Sequence, residues 1–355
     1  MAKIIHSGDI HLDSAFVNLT PENARLRRRH LRDVFSRLID TANDEQVDAL
    51  ILAGDVFDAY PIFPETEAAF LNALKRAEMP VFITPGNHDP YTADSPYRTL
   101  ELPENVYVFK SEKLSFFELD EKKLRIFGFG YNKESFDEHI LDGFTVPDDD
   151  FVNILILHSN LYTDGYSPVT ADEIKESCAD YVALGHVHKP TEVLKAGKTH
   201  YAYCGCLVAR DFGEMYDTGY LIGEVTKSGA NLIRRSISDI KYREITVDIG
   251  IESDISKQLP SPSDSEHIRL TLVGECEKPD VDAIFNEFSK KYGEFYVEDK
   301  TTAPRDLWLG IEEDTLRGVF LRKMKAQLEC ATDEEKEKIL LATKFGINAI
   351  ENRDI

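Results

Sequence analysis

The sequence predicts an α/β protein, and three observations carry that prediction. Short apolar runs recur along the first two thirds of the chain, and each stops in a polar cluster: "KIIHSGDIH", "VDALILAGDVFD", "MPVFITPGNHDP", "VNILILHSN" and "DYVALGHVHKP". Helical patterns separate the early runs, which is the alternation of an α/β fold. Later runs are short, alternating and bounded by turns, as in "LSFFEL", "LRIFGFGY", "THYAYCGCL", "YLIGEVT" and "NLIRRSI", and read as antiparallel strands.

The elements follow in order. Continuous apolar stretches such as Ala49-Leu50-Ile51-Leu52 suit strands covered on both faces. The first helix is expected from Glu22 to about Asn43, entered at "TPEN", with Leu26, His30, Val34, Leu38 and Ile39 on its inner face. The second is expected over Pro64–Ala77 from "FPETE", with Phe70, Leu71 and Leu74 inward. Cys204 and Cys206 fall in a predicted alternating strand, where the CxC spacing reads as core packing rather than metal binding. Beyond Lys241 the pattern changes. "YREITVDI" reads as a strand, "SKQLPSPSDSE" as a linker or exposed loop, and "HIRLTLVGE" as a strand. A helical stretch near Asp280–Tyr292 and the strand "EFYVED" complete a small module. The tail from Glu312 is helical. Leu316, Val319, Phe320, Met324 and Leu328 recur at helix spacing, and Thr332 with Glu335 forms a capping box before a last helix. The expected division is therefore 1–240, 241–310 and 311–355.

Composition bounds the function. A chain of 355 residues has room for two or three domains, and 42% apolar residues supply their cores. No apolar leader follows Met1, no run reaches the length of a membrane span, and five cysteines do not pair into a framework. A cytoplasmic chain without membrane contact is expected. The net charge of −23 argues against a free-standing nucleic-acid binder, because phosphate contacts require Lys and Arg. A polyanionic substrate would need bound cations, a local basic patch or a partner.

Five strand ends carry Asp9 and His11, Asp55 and Asp58, Asn87 and His88, His158, and His186 and His188. The carboxyl edge of an α/β sheet is where such clusters can meet. Carboxylates, imidazoles and one amide, with no thiolate, argue against a structural zinc site and suit Mn, Fe or Zn. There are too many candidate ligands for one ion. Two ions sharing a carboxylate fit better, and Asp55 is the natural bridge. Asp13 reads as a brace for the turn after His11, Asp58 as a group orienting a ligand, and Asp89 as a turn residue. His6, His139, His200 and His267 read as structural.

In that order, GDIH, GDVFD, GNHD, a lone His after an apolar strand, and GHVH resemble the calcineurin-like metallophosphoesterase superfamily. The resemblance implies a four-layer β-sandwich flanked by helices, with a small α/β capping domain and C-terminal helices. It implies two divalent ions, Mn2+ first and Fe, Zn or Mg as alternatives. Asp9, His11, Asp55 and His188 would hold one, and Asp55, Asn87, His158 and His186 the other. His88 matches the family's non-ligand histidine beside the scissile phosphate, with Asp58 next to it in the catalytic group. The protein Ser/Thr phosphatases continue GDxxD with Arg-Gly, whereas Asp58 here is followed by Ala59-Tyr60. "GDIHLDSAF", "CGCLVARDFGEMYDTGYLIGEV" and "YREITVDI" are similar instead to the SbcD-like DNA repair exonucleases of the YhaO-like branch.

That branch implies a DNA substrate, a capping domain that helps select it, C-terminal helices that engage an SbcC-like SMC-type ATPase, and homodimers in some relatives. Cys204 and Cys206 depart from the Pro and Ser usual there. Asp58 stands where some relatives carry a His that assists exonuclease action. "ARLRRRHLRD" offers Arg27, Arg28 and Arg29 as a DNA-backbone track, against the alternative of a salt-bridged helix face. The competing functions are a small-molecule or cyclic-nucleotide phosphodiesterase and a catalytically silent adaptor, the latter disfavoured by the intact ligand set.

Overall fold

The computed structural model describes residues 1–161, 165–252, 254–304 and 306–351. In chain order its elements are β1 (Ala2–Ser7), α1 (Pro21–Asp44), β2 (Ala49–Leu52), α2 (Pro64–Arg76), β3 (Val81–Ile83), α3 (Pro96–Thr99), β4 (Val106–Val108), β5 (Ser115–Leu119), β6 (Leu124–Gly128) and β7 (Val152–His158). Then come α4 (Ala171–Ser177), β8 (Tyr181–Gly185), β9 (Leu194–Ala196), β10 (Thr199–Tyr203), β11 (Tyr220–Thr226), β12 (Gly229–Arg235), β13 (Lys241–Asp248), β14 (Ser263–Val273), α5 (Val281–Phe288), β15 (Tyr292–Asp299), α6 (Leu316–Glu329) and α7 (Asp333–Ile350). The chain divides into two compact units. The first is Met1–Arg243 with Ser263–His267; the second is Glu244–Pro262 with the residues from Ile268 onward.

The first unit is a sandwich of two six-stranded sheets, ordered β12-β11-β1-β2-β3-β4 and β5-β6-β7-β8-β10-β9. Strands β1 to β4 run parallel, as do β6, β7, β8 and β10, while β5, β9, β11 and β12 are antiparallel additions. Side chains alternate faces along a strand, so each apolar run serves two cores at once. Ile5, Leu50, Leu52, Val81 and Ile83 pack under α1 and α2, against Leu31, Phe35, Leu38, Phe70 and Leu74. Their neighbours Ile4, Ala49, Ile51 and Phe82 face the second sheet through Ile126, Ile154, Ile156 and Ala183. The outer face of that sheet, Phe127, Leu155, Leu157, Val182 and Leu184, packs against Ile174 of α4 and the segment holding Phe129, Phe136 and Leu141. Helices, sheet, sheet, and helix with loop make four layers, as expected.

Register brings the strand ends level. Ser7 pairs with Leu52, Leu52 with Ile83, and His158 with Gly185, so every cluster of candidate ligands starts at or just beyond the same edge.

The second unit holds most of a three-stranded sheet, β13-β14-β15. Its own core is built on Val247, Ile268, Leu270, Leu272, Phe288, Tyr292 and Phe295. Helices α6 and α7 also belong to it, and the Thr332–Glu335 capping box is formed. No helix among the described residues is long and apolar enough to cross a membrane.

Two local expectations need correction. The inner face of α1 is Ala24, Arg27, Leu31, Val34, Phe35, Leu38, Ile39 and Ala42, while Leu26 is exposed and His30 half-buried. Continuing the three- and four-residue spacing back from Leu38 leads through Leu31 to Arg27, not to Leu26. Secondly, Ser263–Glu266, read as linker, is the start of β14.

Candidate metal centre

The loops leaving β1 and β2 run on together past the sheet. Asp9 N–H donates to Gly54 O (3.0 Å), Ile10 N–H to Asp55 O (2.9 Å), Leu12 N–H to Val56 O (2.8 Å) and Asp58 N–H to Leu12 O (2.9 Å). This pairing holds Asp9, His11, Asp55 and Gly54 at positive φ: 45°, 50°, 48° and 88°. His186 adopts φ 91°. Such conformations cost a non-glycine residue about 1–3 kcal/mol each and persist where the surroundings over-determine them. Gly54 is obligatory for a second reason, because a Cβ there would run into the His158 ring.

The ring nitrogens of the site are set by what each histidine donates to. His11 Nδ1 lies 2.9 Å from Asp58 Oδ1, and His188 Nδ1 lies 2.7 Å from Glu214 Oε1. A carboxylate only accepts, so each Nδ1 carries the proton and each Nε2 presents a lone pair. These two Nε2 atoms stand 3.1 Å apart. Two lone pairs at that distance repel unless a cation lies between them. His158 Nδ1 donates to Ala53 O (2.9 Å), which aims its Nε2 at Asn87 Oδ1 (3.0 Å) and Asp55 Oδ2 (3.2 Å). His186 Nδ1 lies 3.1 Å from the same Asn87 oxygen. Acceptors converge here as well. Asp55 Oδ2 stands 3.8 Å from His11 Nε2, between the two groups, while its Oδ1 accepts from His88 N–H (3.0 Å). The donor atoms of Asp9, His11 and His188 lie within 4.8 Å of one another, and so do those of Asp9, Asp55 and His158. Mixed oxygen and imidazole donors with unopposed lone pairs fit divalent cations.

Electrostatics agree. Burial raises the Asp9 carboxyl and lowers the His11 imidazole. Burial also lowers His186 to about 3, helped by His158, so this ring stays neutral. At His158 burial works downward, but the Asp55 carboxylate overrides it and lifts the ring to about 9. Asp55 is correspondingly held below the usual carboxylate range, His158 and His11 outweighing the cost of burying its charge.

The remaining predicted residues surround this centre. Asp58 touches the far side of His11, which is an orienting position. His88 Nδ1 donates to the Asp58 carbonyl (3.0 Å), and its side chain is 46% exposed. His11, Asp58 and His88 form a third close group, but Arg210 already neutralises Asp58 at 3.2 Å. Asp13 reaches across to the start of α2, accepting from Phe63 N–H (2.7 Å) and from the Thr66 hydroxyl.

A family description, the calcineurin-like phosphoesterases, matches residues 2–190. The chain belongs to that family. Its relatives include the "Uncharacterized metallophosphoesterase YhaO" of Bacillus subtilis, 31% identical in an alignment of 259 positions that covers 69% of this chain and 62% of that one. The "DNA double-strand break repair protein Mre11" of Halobacterium salinarum is 28% identical over 70% of this chain and 64% of its own length. A subunit of the SbcCD nuclease of Bacillus subtilis is 28% identical over 60% of this chain and 63% of its own. The chain thus spans a little under two thirds of these relatives' lengths.

Several features of this calcineurin-like phosphoesterase were not legible beforehand. From the loop after β10, Glu214 accepts from His188 Nδ1, and Arg210 pairs with the Glu214 and Asp58 carboxylates. Asp89, read as a turn residue, is fully buried and accepts from Val56 N–H (2.8 Å), Phe57 N–H (3.1 Å), Gly86 N–H (2.7 Å) and the Tyr97 hydroxyl. It ties the Asp55 loop to the Asn87 loop. The Tyr166 ring lies 4.6 Å from that of His186.

Arg27 is a correction. It is 8% exposed, donates to Ala209 O (2.9 Å) and the Tyr242 hydroxyl (3.0 Å), and lies 3.2 Å from His267 Nε2. It points into the protein and cannot track a DNA backbone. Arg28 leans on the Phe63 ring at 5.1 Å, and Arg29 is exposed beside Asp33. Strand β10 ends at Tyr203, so Cys204 and Cys206 sit in the loop that follows, not in a strand. Both are buried, and among the described residues neither belongs to a group that could hold a cation.

Proposed function

We propose that this chain is a two-metal phosphodiesterase that hydrolyses DNA in the cytoplasm. The observation that supports it is the pair of converging lone-pair sets sharing Asp55. Asp9, His11, Asp55 and His188 would hold one cation and Asp55, Asn87, His158 and His186 the other, with Mn2+ the first candidate. Bound together, two such cations offset the charge of a phosphodiester and lower the pKa of a water.

The chain's own groups do the rest. Asp58 and Glu214 keep the His11 and His188 lone pairs aimed inward. His88, with Nδ1 donating to the Asp58 carbonyl, would act as an imidazolium: its Nε2 proton passes to the leaving oxygen and the ring is left neutral, a role typically worth ~10²–10⁴-fold. Asp89 keeps the Asp55 and Asn87 loops in register. The DNA reading draws on the names of the Mre11 and SbcCD relatives and on the two arginines of that run on α1 that do not point inward, Arg28 and Arg29. Residues 1–240 would carry the chemistry, 241–310 would help select the substrate, and 311–355 would engage an SbcC-like SMC-type ATPase. On the last segment Leu316 and Val319 of α6 and Leu341 and Phe345 of α7 are exposed apolar residues.

The test is Mn2+-dependent turnover by the full chain of single-stranded and linear duplex DNA, beside cyclic nucleotides and simple phosphodiesters. DNA cleavage that Asp55→Asn and His158→Ala abolish supports the reading. Turnover of small diesters with intact DNA would instead establish the small-molecule alternative.

A further inference from the structure

We infer that Arg210 is the positioning residue of the first metal subsite. It clamps the two carboxylates that fix the orientation of His11 and His188. The inference rests on the two-metal reading above and adds to it a residue outside the ligand set. The Arg210 guanidinium bridges both carboxylates. Nη1 donates to Asp58 Oδ1 (3.2 Å), and Nη2 donates to Glu214 Oε1 (2.8 Å), with Nε 3.3 Å from that oxygen. Nη1 also reaches Ser14 Oγ (3.2 Å), whose hydroxyl donates to the His11 carbonyl (3.0 Å). The Arg210 backbone N–H donates to Glu214 Oε2 (2.7 Å), and its carbonyl accepts from the Tyr242 hydroxyl (2.7 Å). One cation therefore joins the loops after β1, β2, β8 and β10 on the side of the ligands away from the metal.

The chemistry of arginine suits this position. Asp58 and Glu214 are 23% and 8% exposed at the side chain, so two unpaired charges there would be costly. If either carboxylate turned away, its histidine would lose the acceptor that fixes the ring orientation and keeps the proton on Nδ1. Either carboxylate could also swing inward and compete as a ligand. A guanidinium prevents both: it stays charged, cannot coordinate a metal ion, and its planar fork holds two oxygens at fixed spacing. A lysine would supply the charge without the fork. Nη2 also lies 3.2 Å from His188 Nδ1. With Glu214 accepting from that ring nitrogen, this approach is a contact of two donors to one shared oxygen.

The experiment compares Arg210→Gln and Arg210→Lys with the unaltered full chain. Mn2+ titration calorimetry reads the two binding events. Long-range proton–nitrogen spectra of histidine-labelled, Zn2+-loaded protein read the ring tautomers. Expected for Arg210→Gln is a loss of about 10- to 100-fold in one Mn2+ event, the range for residues that orient metal ligands, with the other event within about twofold. Two histidine rings should lose their Nδ1–H signature, and Arg210→Lys should restore part of both effects. Unchanged affinities and tautomers in Arg210→Gln would overturn the inference. So would equal weakening of both events together with a lowered melting temperature of the metal-free protein, which would mark a structural residue. His11→Ala is run alongside. If it leaves both Mn2+ events intact, the two-metal reading itself fails, and the inference falls with it.

Discussion

Below pH 9 the metal-free protein should carry an imidazolium at His158, and its stability should fall as that proton leaves. His158 is fully buried, 3.2 Å from Asp55 Oδ2, and titrates near 9 in the fold against 6.5 in an unfolded chain. The folded value is the higher one, so the proton stabilises the fold. Its contribution is complete below pH 6.5 and is lost as the pH rises through 9. A shift from 6.5 to about 9, at ~1.4 kcal/mol per unit, amounts to about 3 kcal/mol. Urea unfolding in the presence of a chelator, at pH 6.5, 8 and 9.5, measures it. His188 is also raised and adds a fall of the same sign, so the informative quantity is the difference from Asp55→Asn, which removes the carboxylate that lifts His158 and leaves Glu214 beside His188. Parallel pH curves for the two proteins would refute the reasoning. A divalent ion must also expel the proton, so the apparent enthalpy of metal binding below pH 8 should vary with the ionisation enthalpy of the buffer.

The arginines of α1 separate by side. Arg27→Ala should cost about 2–4 kcal/mol in chemical denaturation, because a buried guanidinium and its hydrogen bonds are lost. Arg28→Ala with Arg29→Ala should leave stability within about 0.5 kcal/mol and lower the salt slope of duplex binding by up to about 2, near 0.9 per phosphate contact. An unchanged slope would remove α1 from the DNA path. Asp89→Ala strips the acceptor from three backbone N–H groups, each costing about 1–3 kcal/mol when left unsatisfied. A loss of at least about 3 kcal/mol and weaker Mn2+ binding are expected; a change below about 1 kcal/mol would show that the two loops hold their shape without it.

The convergence of the candidate donors was readable because each of them follows an apolar run, and parallel register then places those run ends side by side. The layers were readable for a related reason: residues buried on both faces leave long apolar stretches. What escaped reading depends on contacts that only folding creates. Arg210 and Asp58 meet across 152 positions of chain, and no local pattern marks "LVARDFGE" as the source of a clamp. Arg27 was assigned to solvent because it stands in a run of arginines. Helical geometry turns it inward, where the Phe16 and Tyr242 rings flank it. Asp89 resembled any aspartate after a histidine until its four donors were visible.

The bond from His158 to the Ala53 carbonyl, and that from His186 N–H to the Asp9 carboxylate at 3.0 and 3.1 Å, both cross from the second sheet to the first. The edge that carries the candidate donors is therefore also a seam, closed by the same side chains that would coordinate metal. An ion seated there would act as a clasp on the sandwich. Exchanging one metal for another should then shift the temperature at which the two sheets part, as well as the rate of the reaction between them.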